Sequence, residues 1–350
     1  MGASPSVLPE LVATELAKPA DGSDIEGEAA LRAEVQRLRA LIASEAAVAA
    51  AGAVNSAFVF IKPHACNNAV IDAVKAALGE HPAGFTITAE SDLAAKKIDA
   101  ERLIDNHYGA IAAKAVKLQP SELSVPAKGL QLFEEKYGLT WASALEQGLV
   151  FNAKDAMDKL GCADGAALEL KWRAVSALKF GGGFYTAKID DIWVMNGFYI
   201  SMRSLYCTPP AAIHTLCVEW PAAKLSWGDF RATVLGATDP STASEGSLRR
   251  TLFDRWAEFG LASEPNTGLN GVHGSASPFE ALAERLNWCG ATVESDAFGK
   301  GLLSAGVPKA TIEAWTQDPQ ATLDGETGSL FDHLEDQNAA DVLAAARRIA

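Results

Sequence analysis

The sequence predicts an α+β fold: an antiparallel sheet with helices on one face, interrupted by an α/β insertion. Three observations predict it. Apolar strands and amphipathic segments follow each other as strand, helix, strand, helices, strand, helix, strand over 57–118 and 196–288. The first strand, 57–61, is an unbroken apolar run closed by Lys62-Pro63, because proline cannot continue a sheet ladder. The stretch 270–284 leads from the last strand through a glycine-flanked histidine into a strongly capped helix.

The chain, taken in order, justifies each element. Pro5, Pro9, Pro19 and a Gly/Ser/Asp stretch predict disorder to about Gly27. Leu31, Val35, Leu38 and Leu41/Ile42 then form one helical stripe over 28–45, suited to a short coiled coil or a docked helix. The Ala-rich run 46–53 is a linker or a helix tail, too short to span a bilayer. The continuous apolar strand after it has both faces covered. Val70, Val74 and Leu78 place a helix over 68–80, and the alternation in 85–90 reads as a half-buried strand. Residues 99–118 read as helical. The insertion, about 119–195, holds helices over 130–137, 142–147 and 153–160, with strands around 166–171 and 192–195. Gly181-Gly182-Gly183 lacks the Gly-Lys-Ser/Thr ending of a phosphate loop and reads as a flexible turn. A helix over 196–206 precedes the third strand, 213–220. Ser226 caps the next helix, which Gly236 ends. Beyond Trp288 come about sixty further residues, acidic in balance, with helices over 308–315 and 339–350.

The composition excludes some classes of function. With 350 residues, 49% hydrophobic and 21% charged, the chain reads as a soluble globular protein. A net charge of −14 argues against nonspecific nucleic-acid binding, which demands a basic surface. A nucleotide in a locally basic pocket remains open. The five cysteines, Cys66, Cys162, Cys207, Cys217 and Cys289, form no C-x-x-C pair. That predicts neither a disulfide framework nor a zinc site, and points to a reducing, cytoplasmic compartment. Cys217 reads as core. No transmembrane segment is expected. Gly2 and Ser6 fit the loose N-myristoylation pattern, against which an ordinary terminus is the simpler reading; one acyl chain alone anchors only weakly.

The chemistry gathers at 270–284. His273 stands between Gly271 and Gly274, where a ligand can approach the bare backbone. Ser275 follows. Ser277 suits an N-cap, Pro278 the first helical position, and Glu280 completes a capping box. Glu284, one turn beyond Glu280, can turn against the imidazole: a histidine oriented by a carboxylate, with a hydroxyl nearby.

This stretch resembles the N-x-x-H-G-S signature of nucleoside diphosphate kinases, matched at Asn270, His273, Ser275 and Glu284. Upstream, Ile61-Lys62-Pro63, the pair His107-Tyr108, and Thr238 with Arg249 match the same family in register. The resemblance implies a ferredoxin-like sheet, the order given above. It also implies transfer of a γ-phosphate from a nucleoside triphosphate to a nucleoside diphosphate through a phosphohistidine at His273, in ping-pong order. Ser275 and Glu284 would orient the ring. Lys62, Thr238 and Arg249 would hold phosphates and Asn270 the ribose. Tyr108, with Phe198 or Tyr199, would stack on the base. Mg2+ would ride on the nucleotide phosphates. The resemblance also implies a homo-oligomer, although an insertion of this size could block or replace the family's contacts.

Two departures from the family pattern stand out. His64-Ala65 replaces the usual Asp-Gly after Lys-Pro; His64 reads as loop surface, and His107 as helix surface. The second phosphate-clamping arginine should lie six residues before Thr238, where Ala232 stands. Either Arg231 serves after a one-residue slip or the clamp is weakened. The expected layout is an N-terminal extension (1–52), one kinase-like domain (53–288) and a helical C-terminal extension (289–350). The competing reading is a weakly active or inactive scaffold that uses the insertion and extensions as its working surface.

Overall fold

The computed structural model describes residues 27–181 and 183–349. The expected disorder before Gly27 and the acylation at Gly2 lie outside them. In chain order, α1 (Glu28–Ala53) runs into β1 (Val54–Ile61), α2 (Asn68–Glu80) and β2 (Thr86–Ala94), followed by short helices at 95–100, 103–107 and 109–112. The insertion holds α3 (Ala127–Tyr137), α4 (Trp141–Glu146), β3 (Val150–Asn152), α5 (Ala153–Lys159), α6 (Gly165–Arg173), β4 (Leu178–Gly181), β5 (Phe184–Ile189) and β6 (Ile192–Met195). Next come α7 (Tyr199–Cys207), β7 (Ala212–Pro221), helical turns over 227–235, α8 (Leu248–Asp254), β8 (Val272–Gly274) and α9 (Pro278–Trp288). The C-terminal part adds α10 (Ala297–Ser304), α11 (Lys309–Trp315), a hairpin of β9 (Gln320–Leu323) and β10 (Glu326–Ser329), and α12 (Ala339–Ile349).

The central sheet runs β2-β7-β1-β8, all pairs antiparallel, which is the ferredoxin-like order. In β1 successive side chains face opposite ways. Ala57, Val59 and Ile61 pack with α2, the 227–235 segment and α8. Phe58 and Phe60 face Ile98, Ile104, Tyr206 and Trp288. Both faces of this strand are therefore dry, as its continuous apolar run requires. The β2 strand lies at the sheet edge and is more exposed than the half-buried reading of 85–90 expects.

The insertion forms its own sheet, β3-β6-β5-β4, around the Phe133, Trp141 and Trp193 cluster. Its helices fall where expected, with one correction. Residues 166–171 are helix, not strand: Asp164 accepts from Ala167 N and starts α6. The helix expected over 99–118 is broken into short pieces.

The C-terminal extension docks on the central part, and α1 docks mainly on that extension. The stripe residues Leu31, Val35 and Ile42 stay exposed, whereas Val48 and Ala51 at the other end of α1 pack with Leu302 and Leu343. The 46–53 run is therefore a helix tail. Asn338 Oδ1 accepts from Asn55 Nδ2 at 2.8 Å and from Trp227 N at 2.9 Å, and Asn55 Oδ1 accepts from Ala339 N at 2.9 Å. These buried bonds join the start of α12 to β1, and leaving one such group unpaired costs about 1–3 kcal/mol. No helix among the described residues is long and apolar enough to cross a membrane.

Candidate active site

β8 pairs with β1 so that His273 lies opposite Phe60, with the two rings stacked at 4.6 Å. Lys62, just past the end of β1, donates its N–H to Gly271 O at 2.8 Å. Gly271 takes φ 85°, which a side chain would strain. The space a Cβ would need at Gly271 and Gly274 is filled by Leu252 and Leu235. The glycines thus admit the protein's own core against the backbone, which corrects the expectation that they leave room for a ligand.

The α9 helix begins at the expected Ser277 cap, without the reciprocal Glu280 bond of a capping box. Ser277 Oγ accepts from Glu280 N at 3.1 Å and Pro278 occupies the first turn. One turn later Glu284, nearly fully buried, meets the imidazole: its Oε1 lies 2.5 Å from His273 Nε2. Its Oε2 accepts from Ser275 Oγ at 2.5 Å. Ser275 Oγ also accepts from Phe58 N at 3.0 Å, so β1 fixes the serine, the serine fixes the carboxylate, and the carboxylate fixes the ring. With Glu284 ionised, Nε2 carries the proton and Nδ1 keeps its lone pair.

His273 also lines a cleft of about 670 Å3, with Lys62, Tyr108, Arg231, Thr238, Arg249, Asn270 and Glu280. Its side chain is 16% exposed, so the ring is held by the interior yet open at one edge. Arg249 donates from Nε to Val272 O at 3.0 Å and from Nη1 to Gly236 O at 2.8 Å. Those carbonyls aim the guanidinium without neutralising it. Among the described residues neither Lys62 nor Arg249 has a carboxylate partner. Burial, then the neighbouring Arg249, pushes Lys62 down to about 8; burial, then Arg231, pushes Arg249 down to about 10. Two desolvated, unpaired cations favour an anion between them. The same cations, after burial itself, hold His273 well below the usual histidine range, so the imidazole is neutral.

Asn270 is buried and donates to Thr238 O at 3.0 Å, while its Oδ1 has no partner among the described residues. Arg231 lines the cleft but is not free: Nη1 donates to Glu335 Oε1 and to Asp336 Oδ1, both at 2.7 Å. Those two acids come from the C-terminal extension and also line the cleft.

The remaining expected residues need correction. Phe198 does not line the cleft; it packs on Trp172 and Tyr185 in the insertion. Tyr199 is fully buried and donates to Asp105 Oδ1 at 2.5 Å. Of the proposed stacking aromatics only Tyr108 reaches the cleft. His64 is not loop surface. Its Nε2 accepts from Gly271 N at 3.1 Å, and burial, then Lys62, pushes it down to about 4. His107 is not helix surface either. Its side chain is 6% exposed, its ring meets that of His273 edge-on at 4.8 Å, and its Nδ1 lies 3.4 Å from Glu284 Oε1. The signal for it was helical phase: Leu103 and Ile104, both buried, stand one turn before it.

The carboxylates shift upward. Burial, opposed by His107 and Ser275, raises Glu284 to about 7, and burial with Glu284 beside it raises Glu280 to about 8. A neutral imidazole of fixed tautomer, facing a cleft with desolvated cations, can act as a nucleophile toward an anionic electrophile.

No family model and no curated protein matches the chain. Among solved structures, an NDP kinase from Pyrobaculum aerophilum is similar at 17% identity, over 67% of this chain and 95% of that one, with a TM-score of 0.34.

Proposed function

We propose that the protein is a nucleoside diphosphate kinase-like phosphotransferase. His273 Nδ1 attacks the γ-phosphorus of a nucleoside triphosphate. An N–P bond forms, the bond to the bridging β,γ-oxygen breaks, and the diphosphate leaves. A second nucleoside diphosphate then takes the phosphoryl group on a terminal β-oxygen, restoring the imidazole. The observation that carries this reading is the imidazole itself: Nε2 is held by Glu284 and the ring lines a cleft with Lys62 and Arg249.

The chain's residues divide the work. Glu284 keeps the Nε2 proton in place and offsets positive charge growing on the ring. Lys62 and Arg249 face the charge spread over the phosphoryl oxygens, where catalysis is mainly positioning and electrostatics. Thr238 adds a hydroxyl. Asn270 Oδ1 is an unmet acceptor that a ribose hydroxyl would satisfy. Tyr108 offers a face for the base, which predicts weak base preference. Mg2+ would arrive on the nucleotide as part of the substrate and would neutralise charge on its phosphates.

One observation favours the second reading, a weakly active or inactive scaffold: Arg231 is already engaged by those two acids. Incubation with γ-labelled ATP separates the readings. The kinase reading expects acid-labile label on the native protein, chased by added nucleoside diphosphate and absent from His273→Ala. No label on either protein supports the scaffold.

A further inference from the structure

A second cavity, of about 520 Å3, lies against His273 beside the nucleotide cleft. It is walled by His107, Tyr108, Glu280, Glu284 and, from the C-terminal extension, Thr316 and Phe331. His107, His273 and Glu284 all reach it, and one donor atom from each lies within 4.8 Å of the others. Glu284 Oε1 stands between the two rings, 2.5 Å from His273 Nε2 and 3.4 Å from His107 Nδ1. Trp288 Nε1, which can only donate, points at His107 Nδ1 at 3.4 Å. With Trp288 donating there that nitrogen is the lone-pair nitrogen of His107, although Glu284 Oε1 stands equally near, and a donor at 3.4 Å is distant enough to give up at small cost. Two imidazole nitrogens and one carboxylate oxygen are the donor set of a three-ligand zinc site, and the cavity supplies the open fourth position and a way in.

We propose that His107, His273 and Glu284 form a capture site for a zinc-class divalent cation, entered through this second cavity, and that its occupation switches His273 off. Ligands about 2.0 Å from a tetrahedral ion sit roughly 3.2 Å apart. The His273–Glu284 pair therefore opens slightly and His107 closes in. To bind the ion, Nε2 must lose its proton. In a neutral ring that proton is taken up at Nδ1 by exchange with solvent. Nδ1 then bears a hydrogen where it had a lone pair and cannot attack phosphorus. The ion is not oxidised or reduced, and no other proton moves on the ring. Mg2+ prefers six oxygen ligands and is a poor occupant, so the nucleotide's own cation is not diverted. Cation binding stands independently; only the switching-off rests on the phosphohistidine reading.

The test uses the full, untagged chain stripped with a chelator. Co2+ titration followed by visible absorption, with Zn2+ calorimetry alongside, reads the site directly. The expected result is a stoichiometric low-coordinate Co2+ band that Zn2+ abolishes. His107→Phe and, as a second variant with a folded circular dichroism spectrum, His107→Gln should weaken binding at least about 100-fold. The band should persist in Cys217→Ser, because Cys217 and Cys289, with sulfurs 3.9 Å apart, are the competing soft donors. No stoichiometric band, or a band unchanged in both His107 variants, overturns the site. Added Zn2+ should suppress labelling by γ-labelled ATP at least about tenfold, and chelator should restore it. Labelling unaffected by bound Zn2+ overturns the switch. If the stripped protein takes no label at all, the phosphohistidine reading and the switch fail together, while the Co2+ band still decides the site.

Discussion

Replacing Glu284 with Gln keeps the shape of the site and removes its charge. The amide oxygen can still accept from His273 Nε2. The amide nitrogen can donate to Ser275 Oγ, whose own proton turns to Phe58 O, 3.0 Å away. Both contacts survive as neutral ones. A hydrogen bond to a charged group contributes about 1.5–3 kcal/mol and a neutral one about 0.5–1.5, so the change costs roughly 1–1.5 kcal/mol. That is roughly 5–10-fold in the phosphorylation rate. The effect must depend on pH. Burial lifts Glu284 to about 7, whereas His273 is held well below the usual range and stays neutral as the carboxylate titrates. The native rate should therefore rise with pH through about 7, as the coupled Glu280–Glu284 pair gives up its first proton. The variant has no such group. Single-turnover quench-flow with γ-labelled ATP, run from mildly acidic to alkaline pH, gives the native-to-variant ratio. Titration of the nucleotide's own phosphate is common to both proteins and cancels. The ratio should approach one in acid and reach its full value above neutrality. A ratio constant with pH, or a variant as fast as native at every pH, refutes the role given to Glu284.

Other perturbations bear on the same site. Arg249→Ala should lower kcat/KM for nucleotide by roughly 100-fold or more, the usual cost of losing one preorganised donor, with partial recovery in Arg249→Lys; steady-state kinetics check it. Glu280→Gln should stabilise the fold in alkali. Burial raises Glu280 to about 8, so the folded state holds a proton that the unfolded chain releases. This contribution is full below the unfolded carboxyl range and is lost as pH rises through about 8. Thermal unfolding should show a gain of about 1–3 kcal/mol above pH 8 and almost none near pH 4. Glu335→Gln with Asp336→Asn should release Arg231 and lower nucleotide KM about 3–10-fold, within what two partly exposed ion pairs can hold back. A raised KM would mean that the acids position Arg231 and do not occupy it.

Much of this site could be read in sequence because its chemistry is local. Ser277, Pro278 and Glu280 announce the start of α9, and one helical turn then places Glu284 whatever the rest of the chain does. Strands β1 and β6 are legible for a similar reason, as apolar runs bounded by turn residues, whereas β3, β4, β5 and the β9–β10 hairpin are not anticipated. What failed was long-range. Nothing near His107 in sequence shows that α9 and Trp288 will close over it, although its phase with Leu103 and Ile104 pointed inward. His64 follows a strand end, where no periodicity speaks. Phe198 could be placed only by knowing how the insertion packs, and its partners Trp172 and Tyr185 lie within that insertion. Residues 166–171 are helix, and the Asp164 cap before them is the local signal that marks it. Arg231 could be seen as a displaced clamp, but its acidic partners lie about a hundred residues further on.

The central claim is most directly tested by the position of the phosphate on the ring. With Nε2 held by Glu284, only Nδ1 is left to attack, so 31P NMR of the isolated phosphoprotein should show the Nδ1-phosphohistidine isomer, lost in His273→Ala and discharged by added nucleoside diphosphate. A phosphate on Nε2, or on no histidine at all, would contradict the account.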